Sequence, residues 1–304
     1  MLQVVFLGTG AAVPTKNRGL SSVVVKRAGE ILMFDCGEGT QRQMVSAGIG
    51  LCRKMKIFIT HLHGDHIFGL TGLLQSMSLL GRTRELYVYG PTGLGEYLDA
   101  VSRTARLHTV FPVEAREIKE GKVYEDREYE IQAAPADHVV ECFAYALVEK
   151  EKPGRFYLGK AKALRIPEGP LWRRLQLGET VSVGGRKVEP RMVLGSPRPG
   201  VKIVYALDSR PCDHIRKLAM KADLLIHDGS FDDSLIEKAI SDGHSTASQA
   251  AEVAKKAKVK RLVLTHLSAR YENPKLILSQ AKKIFPKSIV ASDFLSLEVS
   301  ASAK

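Results

Sequence analysis

The sequence has few cysteines, and it has no hydrophobic run of membrane length. Its four cysteines, Cys36, Cys52, Cys142 and Cys212, form no Cys-x-x-Cys pair, so they indicate neither a zinc ribbon nor a disulfide framework. No stretch approaches the ~20 apolar residues of a membrane span. The apolar residues 1–7 lack the length and the basic flank of a secretory signal. We therefore expect a cytoplasmic protein that makes no membrane contact.

Internal repeats and low-complexity tracts are also absent, and the composition is that of a globular protein. Of 304 residues, 44% are hydrophobic and 26% are charged, which allows one large core. Apolar runs alternate with helical patterns at residues 67–80 and 247–258. The sequence therefore predicts a single α/β domain over residues 1–304.

Acidic residues are scarce relative to basic ones, because 45 Lys and Arg stand against 33 Asp and Glu, a net charge of +12. Half of this excess lies in one segment without a clean strand or helix period, which also holds Gly169 and Pro170. Its basic residues are Lys152, Arg155, Lys160, Lys162, Arg165, Arg173 and Arg174, and its one acid is Glu168. We predict a projecting basic arm at about 152–177 that binds RNA phosphates, and the alternative is a solvated loop.

The most informative motif is the hexapeptide His61-Leu-His63-Gly-Asp65-His66, which follows the apolar run 56–60. In an extended segment His61 and His63 point to one side, whereas a turn into a helix brings Asp65 and His66 to a second position. Imidazole and carboxylate ligands suit Zn²⁺, with Mn²⁺, Co²⁺ or Fe as alternatives. The motif therefore predicts a site for two adjacent ions.

Further ligand candidates stand just beyond other apolar runs. They are His138, Asp208 and His266, which follow the predicted strands 129–133, 202–207 and 261–265. Ligands presented from strand ends converge at one edge of a sheet. Asp208 is suited to bridge both ions, because a carboxylate has two oxygens. His227 also follows an apolar run, but we assign it with Asp228 to the surroundings of the site rather than to the ligands.

His244 precedes a predicted helix, in which Thr246 and Gln249 form a capping box. A helix N-terminus favours a phosphate but disfavours a protonated imidazole. An acidic partner is then needed to hold the proton on the ring, and Asp228 is the candidate. A surface histidine without function is the alternative.

These residues resemble the metallo-β-lactamase superfamily, whose signature is His-x-His-x-Asp-His with later His, Asp and His ligands. More narrowly, the chain is similar to the short form of the tRNase Z (ribonuclease Z) family. The motifs that carry the similarity are the opening 6–18, the segment 34–41, the arm with its Gly169-Pro170, Ala206-Leu-Asp208-Ser209 and Gly243-His244-Ser245-Thr246.

The resemblance implies a four-layer alpha-beta/beta-alpha sandwich with two metal ions at one edge. It implies a homodimer in which the arm of one subunit holds precursor tRNA while the other subunit removes the 3′ trailer. The products are a 3′-OH on the tRNA and a 5′-phosphate on the trailer. Asp65 would orient or deprotonate the attacking water as well as bind metal, and His244 would protonate the departing 3′-oxygen.

Two departures from the family pattern concern the site. Ser209 stands where the family usually has Thr, and Asp228 stands where it usually has Glu, which shortens the acid that faces His244. Two other functions remain open on the sequence alone. A small-molecule hydrolase would use the same ligands but would need no basic arm, and a non-catalytic RNA-binding protein would need neither Asp65 nor His244.

Overall fold

The computed structural model describes residues 2–301, and the chain divides into two compact units. The main unit comprises the residues up to Val148 together with Val201–Ser300, and the basic unit comprises Glu149–Gly200. Within residues 2–301, no helix combines the length and the apolar character that crossing a membrane would require.

The main unit contains two seven-stranded sheets. In spatial order, the first sheet consists of β18 (Ser296–Val299), β1 (Leu2–Gly8), β3 (Ser22–Arg27), β4 (Glu30–Phe34), β5 (Lys54–Phe58), β6 (Leu86–Gly90) and β7 (Val113–Glu117). The second consists of β17 (Ser288–Val290), β15 (Leu262–Thr265), β14 (Leu224–Asp228), β13 (Lys202–Ala206), β10 (Phe143–Glu149), β9 (Tyr129–Pro135) and β8 (Gly121–Glu125). The short strands β2 (Gly10–Ala11) and β16 (Leu267–Ser268) pair separately.

Eight α-helices in the described part of the main unit accompany these sheets. They are α1 (Thr40–Ser46), α2 (Gly64–Ile67), α3 (Gly69–Leu79), α4 (Leu94–Thr104), α7 (Asp213–Leu218), α8 (Ile236–Asp242), α9 (Ala247–Lys256) and α10 (Lys275–Ile284). A short 3₁₀ turn at Asp233–Leu235 precedes α8.

Aromatic side chains fill the space between the two sheets. The ring of Phe34 on β4 lies 5.4 Å from that of Tyr205 on β13 and 6.1 Å from that of Tyr145 on β10. The Tyr145 hydroxyl donates to the carbonyl oxygen of Ile59, 2.7 Å away. The two sheets therefore pack face to face, with the phenolic groups satisfied by partners across the interface.

Helices cover the outer face of each sheet. On the first sheet, buried side chains of α1, α3 and α4 join one apolar cluster with the strands, among them Met44, Leu73, Leu94, Met33 and Ile57. On the second sheet, α7, α9 and α10 do the same, with Ile215, Ala250, Ile277, Val204 and Leu264. The predicted four-layer alpha-beta/beta-alpha sandwich is therefore confirmed.

The predicted strands are present, but one predicted helix differs. Residues 67–80 do not form a single helix, because the chain becomes helical at Gly64 and α2 meets α3 at Phe68. At this junction the backbone packs closely on the preceding loop, since a Cβ on Gly69 would lie 1.9 Å from the carbonyl oxygen of Gly37. The helix predicted from Ala247 forms with its capping box, from Thr246 and Gln249.

The basic segment, in which the sequence shows no clean strand or helix period, forms regular elements in the structure. The basic unit, which is longer than the predicted 152–177, contains α5 (Leu158–Ala163), α6 (Pro170–Gln176), the hairpin β11 (Val181–Val183) and β12 (Arg186–Val188), and a 3₁₀ turn at Pro190–Met192. Its own apolar core consists of Ala161, Ile166, Leu175, Val181, Val188 and Val193. The Trp172 indole donates to the Ile166 carbonyl oxygen at 3.1 Å. These apolar residues are separated by turns, so no single helix or strand period reveals them.

Candidate metal centre

Polar residues follow the ends of several strands and meet at one edge of the sandwich. Three of them, Asp35 after β4, Asp208 after β13 and His266 after β15, have left-handed backbone angles, with φ of 57°, 53° and 56°. Ala12, which contacts the same site, has φ 57°. Such conformations cost a non-glycine residue about 1–3 kcal/mol and concentrate at functional sites. In this site they turn the side chains out of the strand direction and toward one another.

The first group of ligand candidates comprises His61, His63, His138 and Asp208. The Nε2 atom of His61 lies 3.0 Å from Nδ1 of His63, and Nε2 of His138 lies 3.4 Å from the same Nδ1. The Asp208 Oδ2 atom is 3.6 Å from His61 Nε2 and 3.9 Å from His138 Nε2. Three imidazole nitrogens and one carboxylate oxygen therefore face a common point.

The second group comprises Asp65, His66 and His266, together with the other oxygen of Asp208. His66 Nε2 lies 3.2 Å from His266 Nε2 and 3.3 Å from Asp208 Oδ1. Asp65 Oδ2 is 3.3 Å from His266 Nε2 and 3.5 Å from His66 Nε2, and Asp208 Oδ1 is 3.3 Å from His266 Nε2. Ligands in a tetrahedron around Zn²⁺ at 2.0–2.1 Å are about 3.3 Å apart, so these spacings match that geometry.

Asp208 supplies one oxygen to each group, and its Oδ1 atom tests the fit to a cation. This atom is buried and accepts no hydrogen bond from the described residues. A buried carboxylate oxygen without a partner is costly unless a cation faces it. The donor set and the two-sided placement of Asp208 therefore fit two adjacent divalent metal ions.

Outer hydrogen bonds orient the histidines. The Nδ1–H of His66 donates to Asp35 Oδ2 at 2.8 Å, that of His138 to the Gly243 carbonyl oxygen at 2.9 Å, and that of His266 to Ser230 Oγ at 3.1 Å. Each bond leaves the Nε2 lone pair directed into the site, as metal ligation requires. Of these three histidines, His66 alone has a carboxylate as its outer partner.

Asp35, to which the sequence analysis assigned no role, is fully buried and saturated with donors. Besides His66, it accepts from the Tyr205 hydroxyl at 2.9 Å and from the Thr60 backbone N–H at 2.7 Å. Its position after an apolar strand was the same signal that identified the ligands. Its pairing with His66, 31 residues away in the sequence, could not be predicted because it depends on the fold.

The charge balance of the site favours a cation. Burial lowers the pKa of His66, but the carboxylates of Asp208 and Asp35 outweigh this effect and raise that pKa well above its usual value. Burial raises the pKa of Asp208, but His266 and His66 lower it well below its usual value. The Asp208 carboxylate therefore remains charged and stabilises positive charge beside it.

Asp65 is held by the loop that follows β1. Its Oδ2 atom accepts a hydrogen bond from the backbone N–H of Ala12 at 2.8 Å. Burial raises the pKa of Asp65, but hydrogen bonds to His266 and His66 lower it to far below its usual value. The carboxylate is therefore ionised and fixed in orientation.

His244 lies beside the two groups of ligand candidates. Its ring is 5.3 Å from that of His266 and 5.4 Å from that of His138, and its Nδ1–H donates to Asp228 Oδ2 at 3.0 Å. Burial lowers the pKa of His244, but Asp228 and Asp208 outweigh this and raise it to about 9. The imidazole therefore carries a proton at neutral pH.

Although Asp228 is shorter than the Glu usual in the family, its carboxylate reaches His244. Asp228 is buried, and its Oδ1 also accepts from the backbone N–H of Ser245 at 3.1 Å. His227 lies outside all three groups of potential ligands in the described chain, and its exclusion from the ligand set stays a prediction. Asp228 and His244 do form such a group with Asp208 and His266, but the oxygens of Asp228 are already occupied by N–H donors.

The predicted RNA-binding residues lie in the basic unit. Lys152 is half-buried, whereas Arg155, Lys160, Lys162, Arg165, Gly169, Pro170, Arg173 and Arg174 are exposed. Three of the basic side chains have acidic partners: Lys152 pairs with Glu149 at 3.0 Å, Lys162 with Glu168 at 3.5 Å and Arg174 with Glu179 at 2.8 Å. Gly169, with φ 117°, precedes α6, and Pro170 is its first residue, so this dipeptide starts a helix.

The basic unit as a whole carries twelve basic and five acidic residues, a net charge of +7 within the +12 of the chain. Residues beyond the predicted segment add to this charge, namely Lys150, Arg186, Lys187, Arg191 and Arg198. The basic character therefore belongs to the whole unit.

Comparison with known proteins gives two partial matches to family models. Residues 2–154, about half of the chain, match the model described as anti-Pycsar protein Apyc1, and this N-terminal half belongs to that domain family. Residues 172–267 match the model of the β-lactamase superfamily domain.

Full-length relatives are more specific. Ribonuclease Z of Methanothermobacter thermautotrophicus is 47% identical over 301 residues, which cover 99% of this chain and 98% of the relative. Ribonuclease Z of Myxococcus xanthus is 43% identical over 302 residues, with 98% of each chain covered. The crystal structure of human tRNase Z, short form, superposes with a TM-score of 0.73 at 32% identity, covering 98% of this chain and 100% of that one. This chain belongs to the ribonuclease Z family, within the metallo-β-lactamase superfamily.

Proposed function

We propose that this protein is a metal-dependent endoribonuclease that removes the 3′ trailer from precursor tRNA. The products are a 3′-OH on the tRNA and a 5′-phosphate on the trailer. The observation that carries the proposal is the paired donor set around Asp208, in a chain related over its whole length to ribonuclease Z proteins.

The cofactors are two Zn²⁺ ions per chain, with Mn²⁺, Co²⁺ or Fe as alternatives. His61, His63 and His138 would hold one ion, Asp65, His66 and His266 would hold the other, and Asp208 would serve both. When bound, the ions polarise the phosphate and make water nucleophilic at neutral pH. The spacing of the donor atoms and the partnerless Asp208 Oδ1 support this assignment.

Two side chains manage the protons of the reaction. Asp65, ionised and fixed by Ala12, orients or deprotonates the attacking water. His244, protonated and held by Asp228, donates a proton to the departing 3′-oxygen. Because an alkoxide is a poor leaving group, this second transfer contributes most when the substrate is RNA.

The basic unit binds the tRNA through its phosphates, with Lys152, Arg155, Lys160, Lys162, Arg165, Arg173 and Arg174 as contacts and Gly169-Pro170 as the start of the helix that presents the last two. We further propose a homodimer, in which the basic unit of one subunit holds the tRNA that its partner cuts.

A surface on α1 and α3 supports the dimer. These helices are joined by a hydrogen bond between Gln41 and Ser76, and they expose Val45, Leu79 and Leu80 by 65%, 78% and 64%. Exposed apolar side chains that lie together on neighbouring helices favour association with another surface. Light scattering with a Val45→Ser, Leu79→Ser double variant tests the surface: we expect a dimer that becomes a monomer, and an unchanged mass would contradict this role.

The function is tested with a precursor tRNA that carries a 3′ trailer, using protein loaded with Zn²⁺. We expect one cut, after the discriminator nucleotide, with the two ends stated above. The competing hypothesis, a hydrolase of small phosphodiesters, predicts turnover of a small ester without cleavage of the tRNA.

A further inference from the structure

Phe68, at the junction of α2 and α3, is an aromatic side chain that the reaction described above does not use. Its side chain is 61% exposed, although the residues on either side of it, Ile67 and Gly69, are buried. Keeping this ring in water forgoes the free energy of burying it, which stacking against a base would recover.

The ring of Phe68 lies at the rim of the metal centre. Side chains of a helix lean toward its N-terminus, and α2 begins directly after His63. A Cβ on Gly64 would lie only 2.3 Å from the Phe68 ring, so the ring covers the Gly64 backbone. Because Gly64 stands between the ligand candidates His63 and Asp65, the ring lies next to the backbone that carries two of the ligand candidates.

The position of His244 determines which part of the RNA meets Phe68. His244 contacts His138 and His266, which follow strands of the second sheet, and the function proposed above assigns it to the departing 3′-oxygen of the tRNA. The tRNA body is therefore on the His244 side. The first nucleotide of the trailer keeps the phosphate and lies on the other side of the scissile bond, which leaves the hexapeptide side of the site for its base.

We propose that Phe68 binds the RNA substrate by stacking on the base of the first trailer nucleotide. The proposal rests on the function proposed above. Stacking accepts any base, because every base has a π face, and it orders the nucleotide next to the scissile bond. Phe68 would thereby help to hold the scissile phosphate beside the ligand residues and His244.

The test compares Phe68→Leu, which keeps an apolar side chain but loses the ring, with Phe68→Tyr, which keeps the ring. Leu276→Ala on α10 is the matched control, since Leu276 is also exposed, by 52%, but lies in the outer helical layer on the second sheet. The substrates are precursor tRNAs with 2-aminopurine at the first trailer position or at the discriminator, because stacking quenches its fluorescence.

For Phe68→Leu we expect a roughly tenfold lower kcat/KM on precursor tRNA, within the range that stacking of one base supplies. We also expect loss of the quench at the first trailer position, whereas Phe68→Tyr and Leu276→Ala retain both. Zinc content and molecular mass should be unchanged in all three variants.

Several results would overturn the proposal. Wild-type quench and kcat/KM in Phe68→Leu would show that the ring binds no base, and a quench only at the discriminator would contradict the trailer assignment. Loss of metal or of the dimer in Phe68→Leu would show that the ring supports the structure of the protein rather than binds RNA. In each of these cases the wild-type protein still cleaves precursor tRNA, so the proposed function stands apart; if the wild type cleaves no precursor tRNA, both ideas fail.

Discussion

The main unit and the basic unit use charge in opposite ways. At the metal centre the charged and polar groups are buried and contact one another, as in the chain of contacts from Asp35 through His66 to Asp208. In the basic unit the charges are exposed, and four of the predicted RNA contacts, Arg155, Lys160, Arg165 and Arg173, form no ion pair within the described chain. The first arrangement is preorganised for chemistry, whereas the second is available for a polyanion.

This difference predicts how substitutions behave. Changes at the metal centre should alter metal content or the chemical step and depend little on salt, because buried groups are poorly screened. Changes in the basic unit should alter affinity and its salt dependence while leaving chemistry intact.

The largest effect is expected for Asp208→Ala, because it removes one ligand from each ion. Wild-type protein should hold about two equivalents of Zn²⁺. The variant should hold less than one and should lose at least about 10⁴-fold in kcat/KM, as when a group that acts in a unit is removed. Elemental analysis and cleavage assays measure both values. A single ion in the wild type, together with full activity of His266→Ala, would refute the two-metal account.

The next largest effect is expected for His244→Ala, a loss of about 10² to 10⁴ in the rate of precursor tRNA cleavage, the usual contribution of a general acid. Metal content and tRNA affinity should be preserved. Bis-p-nitrophenyl phosphate has a leaving group that needs no proton, so its hydrolysis should be nearly normal. Equal losses on the RNA and on this ester would mean that His244 shapes the site rather than donates a proton.

Asp35→Asn should weaken the binding of the ion held by His66 about 10- to 100-fold, because outer carboxylates orient and strengthen a ligating imidazole. Calorimetric titration of metal-free protein with Zn²⁺ measures the affinity of each site. Tyr205→Phe, which removes another hydrogen bond to the same carboxylate, is the control and should have a smaller effect. Equal affinities in Asp35→Asn and the wild type would show that Asp35 only fills the core.

Neutralising Arg155, Lys160, Arg165 and Arg173 to Ala should weaken tRNA binding about tenfold or more. It should also reduce the slope of log Kd against log salt by about one per lost phosphate contact. Because substitution spares the apolar core of the basic unit, it is a cleaner test than deleting residues 152–174. Arg216→Ala on α7 of the main unit, which removes a side chain paired with Asp213, is the control. An unchanged salt slope in the fourfold variant would identify a merely solvated surface.

The smallest effect is expected for Asp228→Asn, a loss of about tenfold or less on precursor tRNA. The acid form of His244 is present below its pKa, about 9, and is lost as the pH rises through it. The alkaline limb of the rate should therefore lie at or below about pH 9, since bound cations oppose the protonated ring. Removing the Asp228 charge lowers the pKa of His244 and moves this limb to lower pH. An alkaline limb at the same pH in Asp228→Asn and in the wild type would show that Asp228 does not control the protonation of His244.

The ligand candidates that could be predicted from the sequence share a local signal. The hexapeptide is contiguous, and Asp208 and His266 each follow an apolar strand, so periodicity and strand ends were enough to predict that they converge. The Asp35–His66 and Ser230–His266 contacts link segments 31 and 36 residues apart, and only the folded chain shows them. The core of the basic unit was missed because its apolar residues meet only after two short helices and a hairpin assemble.

The most direct test of the account is to incubate zinc-loaded protein with a precursor tRNA bearing a 3′ trailer and to map both product ends. The account predicts a single cut after the discriminator, with a 3′-OH on the tRNA and a 5′-phosphate on the trailer. It also predicts that His244→Ala slows this cut without moving it. Absence of cleavage by protein that holds two ions and hydrolyses bis-p-nitrophenyl phosphate would contradict the account, because the metal centre would then serve a different substrate.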